Sequence, residues 1–503
     1  MVIGAIGASA AAMTMRAMQN RSLLRRRQWF VALVVSVPLA ASAANSEAAP
    51  CRLRGVEHEA LCGRVQRALD PAQPNATQIA VHYAVLPALA RNKRPDPVFF
   101  FAGGPGQSAI DIAPQVAALL ARFANRRDIV LIDQRGTGRS APLLCDADDP
   151  ALPVAELFTP DRQRERMAAC LVKLETLPHG DLRFYTTTLA MQDADAVRAA
   201  LGAERINLVG ASYGTRAVLE YLRQFPTRVR RAVIDGVAPP DMVLPVAFSA
   251  DNQAALEALF SACGADKACA AREPQLRERW RGLLASLPRT IELRHPITDR
   301  SERLSLTRDM LLGLVRGPLY APALSAALPA AIGEATQGHF NALAGLTQAL
   351  GGRRGLQLAA GMHFSVVCAE DFPRIGAATD KPGADFGDSF AKLYRDVCTS
   401  WPRGDVPTAF YSLPAAPAAT LVLSGGLDPA TPPRHGERAV QSLGAKARHI
   451  VVPNAGHGVM GLACLRDALY RFVDAASDEE ALKVDAECAK AIPRPPMFAL
   501  PAK

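Results

Sequence analysis

Features that define several other kinds of protein are missing from this sequence of 503 residues. It has no C-x-x-C pair, and no cysteine pair lies at zinc spacing from a histidine pair, so we expect no metal site. Neither early glycine loop, 103–106 or 136–138, has G-x-G-x-x-G spacing, and we expect no cofactor. Long low-complexity tracts are also lacking, and charged residues make up 21% of the chain. We therefore expect a folded globular body.

The net positive charge of the chain is small when residues 1–43 are left out. The net charge is +9, but residues 1–43 contain five arginines and no acidic residue, which leaves +4 for the remainder. Because no basic block remains in that part, we expect no nucleic-acid partner.

Residues 1–43 have the pattern of a secretory signal. Arginines at 25–27 precede an apolar stretch at 30–40, and residues 41–43 read Ala-Ser-Ala. The stretch is short for a bilayer span and no later stretch is long and apolar enough, so we expect no span after cleavage. An uncleaved anchor is the alternative, and both Sec and Tat export fit. We expect a periplasmic or secreted protein, with Met18 as an alternative start.

The ten cysteines are even in number and follow this export pattern, so disulfides are expected. A cysteine nucleophile is disfavoured because a serine, described below, has the better context. Sequence proximity favours the pairs Cys51–Cys62, Cys145–Cys170, Cys263–Cys269, Cys368–Cys398 and Cys464–Cys488.

Apolar runs alternate with helical patterns up to about residue 240. Several runs end in glycine turns, which is typical of central strands buried on both faces of a parallel sheet. Helical periodicity is present at 186–201 and in a segment that ends near 224. The alternation predicts an α/β fold with a mostly parallel sheet flanked by helices. The predicted strands are 79–85, 97–102, 128–133, 206–209 and 229–235.

The alternation stops between residues 241 and 412. Segments there have helical patterns, no strong strand run interrupts them, and strand-like runs return only at 420–424 and 449–452. We therefore expect a core formed by 51–240 and 413–503. The mainly helical insertion 241–412 should form a cap over the carboxyl ends of the strands.

Residues 210–214 read Gly-Ala-Ser-Tyr-Gly, directly after a predicted strand and before a helical pattern. Strand, tight turn and helix in that order place a serine on a sharp bend, and a side chain at either glycine would collide with its neighbours. This is the nucleophile-elbow pattern of α/β-hydrolases, and it makes Ser212 the candidate nucleophile.

A nucleophilic serine needs a base and a group that orients the base. α/β-Hydrolases present these in the order serine, acid, histidine, each in a loop after a strand. Asp428 follows the run 420–424, and His457 follows the run 449–452. His363 is the other histidine with a serious claim. Each motif alone occurs by chance, but their order and context favour a catalytic triad.

Acyl transfer develops an oxyanion that two backbone N–H groups should stabilise. The residue after the nucleophile, Tyr213, is expected to supply one. The loop after the strand 97–102 reads Gly-Gly-Pro-Gly and is expected to supply the other from Gly104. A purely structural turn is the alternative for this loop.

These motifs, together with residues 133–140, resemble those of a known family, the proline iminopeptidase and tripeptidyl aminopeptidase family of α/β-hydrolases (peptidase family S33). The resemblance covers about residues 51–495, with little of it in 241–412. It implies that Asp133 and Arg135 brace loops around the site. The residues that carry it are 103–108, 133–140, 210–214, 425–432, 456–458, Cys464 and Cys488.

This sequence departs from the family pattern at one position, and the family also implies an acidic group that binds the substrate. The family loop often reads His-Gly-Gly-Pro-Gly, whereas Ala102 stands here in place of the histidine, so histidine bracing of the loop is expected to be absent. Family aminopeptidases need an acidic group for the substrate's α-amine, and Glu370 with Asp371 are the tentative candidates. A solvated acidic turn is the alternative for this pair.

The sequence favours an exported serine hydrolase that releases amino-terminal residues from peptides, of prolyl or tripeptidyl type. Hydrolysis of carboxylic esters by the same triad is the alternative, because both reactions need the same groups. A non-catalytic binding protein on this scaffold is less favoured. The expected partner is a peptide or small acyl substrate, and the oligomeric state is left open.

Overall fold

The computed structural model describes residues 46–147, 149–157, 160–351 and 358–498. The predicted export signal, residues 1–43, lies outside the described residues. The strands are β1 (Ser46–Cys51), β2 (Ala60–Ala68), β3 (Gln78–Leu86), β4 (Val98–Phe101), β5 (Ile129–Ile132), β6 (Ile206–Ala211), β7 (Val229–Asp235), β8 (Arg289–Arg294), β9 (Ser301–Leu306), β10 (Thr420–Gly425) and β11 (Ala447–Val452).

Nine of these strands form one sheet in the order β1-β2-β3-β5-β4-β6-β7-β10-β11. The pairs β1–β2, β2–β3 and β3–β5 are antiparallel, and every pair from β5 through β4 to β11 is parallel. The prediction of a mostly parallel α/β sheet is therefore confirmed. Loops that follow β4, β6, β7, β10 and β11 leave the same edge of the sheet, because these strands run in the same direction.

Helices cover both faces of the sheet, which explains why its central strands are continuously apolar. In β4, Phe99 and Phe101 pack into one core, while Val98 and Phe100 pack into the core on the opposite face. The helices are α1 (Ala113–Leu119), α2 (Ala121–Ala124), α3 (Val154–Leu157), α4 (Pro160–Glu175), α5 (Thr187–Ala200), α6 (Tyr213–Gln224), α7 (Leu244–Ala265), α8 (Lys267–Arg272), α9 (Leu276–Ala285), α10 (Arg308–Leu319), α11 (Pro322–Ser325), α12 (Leu328–Thr336), α13 (Asn341–Gly351), α14 (Ala360–Glu370), α15 (Ser389–Cys398), α16 (Pro433–Leu443), α17 (Ala463–Asp474) and α18 (Asp478–Leu482).

The chain between β7 and β10 is mainly helical and contains α7 to α15. No strong strand run was recognised in it, yet β8 and β9 form an antiparallel hairpin there. The hairpin buries Ile291, Leu293, Leu304 and Leu306 in a core separate from the sheet, while most of the residues between them are exposed. Half-buried strands of this kind lack the continuous apolar run by which the sheet strands were recognised.

Five disulfide bonds are present among the described residues, and no described cysteine is free. They join the same pairs that sequence proximity favours. One of them, Cys368–Cys398, ties the end of α14 to the end of α15. Within the described part of the chain, no helix combines the length and apolarity needed to cross a membrane.

Candidate active site

The turn between β6 and α6 has the geometry of a nucleophile elbow. Ser212 has φ 55° and ψ −125°, a strained conformation for a residue with a side chain. Its backbone N–H donates to the carbonyl of Asp235 on the neighbouring strand over 2.9 Å. The bend between strand and helix is therefore fixed by the sheet, as a presented serine hydroxyl requires.

Two glycines let the elbow pack this tightly. A Cβ on Gly210 would lie 2.4 Å from the Gly214 carbonyl oxygen, within the following helix. A Cβ on Gly214 would lie 2.1 Å from the carbonyl oxygen of Phe101, on β4. Both distances are far below van der Waals contact, so the first turn of α6 reaches this position only without side chains at both residues.

Asp428 and His457 lie in contact in the loops after β10 and β11. The distance from His457 Nδ1 to Asp428 Oδ2 is 2.8 Å, and the Asp428 side chain is fully buried. Asp428 also accepts from the N–H groups of Ala430 and Thr431 and from the Thr431 hydroxyl, over 2.8 to 2.9 Å. These donors fix the carboxylate, which in turn orients the imidazole.

The pKa values of this pair move in the directions that a charged pair requires. Burial by itself would raise the pKa of Asp428, but the charge and hydrogen bond of His457 and the N–H groups of Thr431 and Ala430 together outweigh it and hold the pKa below its ordinary value. Burial by itself would lower the pKa of His457, but Asp428 outweighs it and holds that pKa above 6.5. A protonated His457 imidazole is therefore stabilised by Asp428.

The histidine loop and the elbow are linked through the end of β7. A Cβ on Gly236 would lie 3.3 Å from His457 Cε1, so the imidazole packs against this backbone. Gly236 follows Asp235, whose carbonyl accepts from Ser212 N–H. The ring of Tyr320 meets the imidazole edge-on, with 5.3 Å between centroids. Ser212, His457 and Asp428 thus lie in loops at the same edge of the sheet, with Asp235 and Gly236 between the first two.

Asp235 is a further residue of this region that sequence reasoning did not single out. Its Oδ2 accepts from the N–H groups of Val459 and Met460 over 2.7 and 2.8 Å, directly after His457. Burial outweighs these hydrogen bonds and raises the pKa of Asp235 to about 6. The sequence signal for Asp235 was a carboxylate at the end of an apolar strand. Its contact with the loop of His457 could be seen only once the fold was known.

The loop 103–107 after β4 packs against the nucleophile. A Cβ on Gly103 would lie 3.7 Å from Ser212 Oγ. The Gly103 N–H donates to Gln107 Oε1 over 3.3 Å, whereas no acceptor of the Gly104 N–H is found among the described residues. The Tyr213 N–H stands at the first position of α6, where a helix offers no internal acceptor. Neither of the two N–H groups expected to bind the oxyanion is therefore used in a hydrogen bond within a described helix or strand.

Asp133 and Arg135 hold loops, as the resemblance implies. Asp133 accepts from the Ser108 hydroxyl over 2.6 Å and from the N–H groups of Ile110 and Arg139. Arg135 donates to both oxygens of Asp193 on α5 over 2.7 and 2.8 Å and is buried. Neither side chain is available for a reaction.

Glu370 and Asp371 do not lie on a surface that a substrate amine could reach. Both are fully buried and pair with Arg216 of α6, over 3.3 Å and 3.0 Å. Glu370 also accepts from the Thr187 N–H, and Asp371 from the Leu244 N–H. The alternative of a solvated acidic turn is equally wrong. In this arrangement the two carboxylates join the cap to the helix that carries the nucleophile.

His363, the other candidate base, is engaged elsewhere. Its Nδ1 lies 3.2 Å from the Pro105 carbonyl oxygen and its Nε2 lies 2.8 Å from the Tyr394 hydroxyl. The expectation that the loop lacks histidine bracing is therefore wrong. Although Ala102 has no such side chain, a histidine from α14 contacts the loop from the cap.

Comparisons with known proteins agree with this fold. Residues 96–262 match a family model described as alpha/beta hydrolase fold, and residues 383–488 match one described as TAP-like protein. A tripeptidyl aminopeptidase of Streptomyces lividans is 34% identical over 197 residues, which are 36% of this chain and 35% of that protein. The chain thus matches about a third of that relative's length.

Two other similarities cover more of the chain. A carboxylesterase B of Mycobacterium tuberculosis is 28% identical over 439 residues, which are 77% of this chain and 78% of that protein. The crystal structure of a proline iminopeptidase of Mycobacterium smegmatis aligns with a TM-score of 0.39 at 16% identity, covering 84% of this chain and 100% of that one.

Proposed function

Because the chain belongs to the α/β-hydrolase family, we propose that it is a serine hydrolase that forms an acyl-enzyme on Ser212. The observation that carries the proposal is the 2.8 Å contact between His457 and the buried Asp428, in loops at the same edge of the sheet as the strained Ser212.

In this reaction His457 accepts the proton of the Ser212 hydroxyl as the oxygen attacks the acyl carbon. Asp428 keeps Nδ1 protonated, so that Nε2 is free to act as the base. The N–H groups of Tyr213 and Gly104 stabilise the oxyanion of the tetrahedral intermediate. His457 then returns the proton to the leaving group, and water repeats the sequence to release the acyl product.

We propose amino-terminal residues of peptides as the acyl part of the substrate. The match to the TAP-like model over 383–488 and the similarity to the tripeptidyl aminopeptidase support an aminopeptidase of prolyl or tripeptidyl type. The group that would hold the α-amine is not the pair Glu370 and Asp371, whose carboxylates are taken by Arg216. Residues 51–240 and 413–503 would form the hydrolase core, with 241–412 as the cap.

Ester hydrolysis is the second candidate. It is favoured by the carboxylesterase, whose similarity extends over 78% of that protein's length, about twice the share covered in the tripeptidyl aminopeptidase. Both candidates use Ser212 and the same oxyanion donors. They differ in whether the leaving group is an alcohol or an amine, which the triad alone does not select.

A covalent fluorophosphonate probe tests the nucleophile. We expect labelling of the wild type, loss of labelling in Ser212→Ala, and full labelling of Ser400→Ala, which removes the hydroxyl of an exposed serine. Equal labelling of the wild type and Ser212→Ala would refute the assignment. Hydrolysis of amino-acyl or tripeptidyl chromogenic amides would support the aminopeptidase, and hydrolysis of esters alone would overturn it.

Export is proposed from the five disulfides and the pattern in residues 1–43. N-terminal sequencing of protein recovered from the periplasm or medium should begin close to residue 44. Recovery of the protein with its first 43 residues intact would contradict cleavage.

A further inference from the structure

The loop 103–107 receives its support from the cap. It contains three glycines, which make it conformationally free on its own. Residues 358–363, called the strap here, lie directly against it. The Ala359 N–H donates to the Gly106 carbonyl over 2.9 Å, and Gln107 and Leu358 form an isolated antiparallel bridge. A Cβ on Gly106 would lie 2.7 Å from the Ala359 carbonyl oxygen, so the two backbones are in close contact.

The strap ends in His363, whose two ring nitrogens both have partners. A carbonyl oxygen only accepts, so the contact with Pro105 requires a proton on Nδ1. Nε2 is then the acceptor, and the Tyr394 hydroxyl donates to it over 2.8 Å. Burial lowers the pKa of His363 to about 4, which keeps the ring neutral at neutral pH. One tautomer therefore satisfies both contacts.

Tyr394 is itself held firmly against α14. It lies one turn before Cys398 on α15, and the Cys368–Cys398 disulfide joins that helix to the one that carries His363. The ring of Phe364 packs against Tyr394 with 5.5 Å between centroids. The Tyr394 hydroxyl, which fixes the His363 imidazole, thus belongs to a pair of helices, α14 and α15, that a disulfide joins. This disulfide-linked pair restricts the movement of the loop 103–107.

We propose that His363 is a positioning residue of the proposed hydrolase. Through the Pro105 carbonyl it holds the loop so that the preceding Gly104 N–H points at the developing oxyanion beside Ser212. The ring nitrogens of His363 contact Pro105 and Tyr394, not Ser212 or His457, and its role rests on the acyl-transfer function proposed above. Because an oxyanion donor contributes about 10²- to 10³-fold in kcat, and a misplaced one loses part of this, loosening the loop should cost about 10- to 100-fold.

The test compares His363→Phe, His363→Asn and Tyr394→Phe with the wild type on the best chromogenic substrate. His363→Phe should lower kcat about 10- to 100-fold with KM nearly unchanged, because the oxyanion exists only in the transition state. His363→Asn places an amide N–H near the position of Nδ1 and should restore most of the loss. Tyr394→Phe should lower kcat a few-fold, since it removes only the second contact.

His295→Phe is the matched control for a merely structural effect. His295 is also a cap histidine with a ring nitrogen close to a carbonyl, that of Leu152, at 3.1 Å. Its replacement should lower the melting temperature while kcat stays within about two-fold of the wild type. Amide hydrogen exchange provides a readout independent of turnover, and exchange within 103–107 should increase in His363→Phe and not in His295→Phe.

The outcomes separate the two proposals. A wild type with Ser212-dependent turnover and a His363→Phe variant with the same kcat would overturn the positioning role and leave the hydrolase standing. Equal losses in His363→Phe and His363→Asn, with unchanged exchange in 103–107, would also overturn it. A wild type without Ser212-dependent turnover would overturn both.

Discussion

The buried cluster of Arg216, Glu370 and Asp371 predicts an unusual response of stability to pH. One guanidinium faces two carboxylates, and all three side chains are fully buried. Asp371 meets Arg216 with both oxygens, over 3.0 and 3.2 Å, and neutralises it. Glu370 is then the surplus acid, and burial raises its pKa from 4.5 to about 7 against the attraction of Arg216.

The sign of the effect follows from which state holds the proton. Between pH 4.5 and about 7, the folded chain keeps a proton on Glu370 that the unfolded chain has released. Stability must therefore fall as the pH rises through this window. A pKa shift from 4.5 to about 7 corresponds to about 3 kcal/mol in the free energy of unfolding, which is fully lost only above pH 7.

Glu370→Gln should remove this loss. The glutamine oxygen still accepts from the Thr187 N–H, but its NH₂ group is a donor facing Arg216 Nη1, which should cost about 1–3 kcal/mol at every pH. Relative to the wild type, the variant should therefore gain up to about 3 kcal/mol between pH 4.5 and pH 8. Asp371→Asn is the contrasting variant. It removes the other carboxylate, so Glu370 should stay ionised opposite Arg216, its pKa should fall below about 7, and the loss of stability between pH 4.5 and pH 7 should shrink.

Urea unfolding with the disulfides intact, from pH 5 to pH 8, measures both variants. Because all other titrating groups are shared, the difference between wild type and Glu370→Gln isolates this carboxyl. Parallel stability curves for the two proteins would refute the reasoning. A large rise in KM for amino-acyl substrates, with stability unchanged, would instead return Glu370 to the substrate site.

Four other outcomes can be measured directly. Asp428→Asn should lower kcat about 10⁴-fold in saturating-substrate assays. Wild-type kcat/KM should rise with pH through a pKa above 6.5, since His457 must lose its proton; a midpoint below 6.5 would contradict the pairing. Asp235→Ala leaves two N–H groups after His457 unpaired, which should lower stability by about 1–3 kcal/mol in urea. Gly214→Ala drives a Cβ to 2.1 Å from Phe101, and soluble yield should collapse.

The sheet and the elbow could be predicted because their signals are local. A buried strand is an apolar run, and the turns that carry Ser212, Asp428 and His457 follow such runs within a few residues. The hairpin β8–β9 carries apolar residues on one face only, so its residues gave a weak signal.

The partners of the cap residues could not be predicted for a different reason. Glu370 and Asp371 were assigned a ligand role because family aminopeptidases need an acidic group for the substrate's α-amine. Their partner Arg216 lies more than 150 residues earlier, on the helix of the elbow itself. Such a pair is visible only when the fold brings distant segments together, and the same holds for His363 and Pro105.

The cap contacts each part of the catalytic apparatus separately. The Tyr320 carbonyl accepts from the His457 N–H over 3.1 Å, the strap contacts the loop 103–107, and both Glu370 and Asp371 contact Arg216 on the helix that follows Ser212. A displacement of the cap would therefore disturb base, oxyanion donor and nucleophile together. Substitutions that break these particular contacts should lower kcat, even where the altered side chain never meets the substrate.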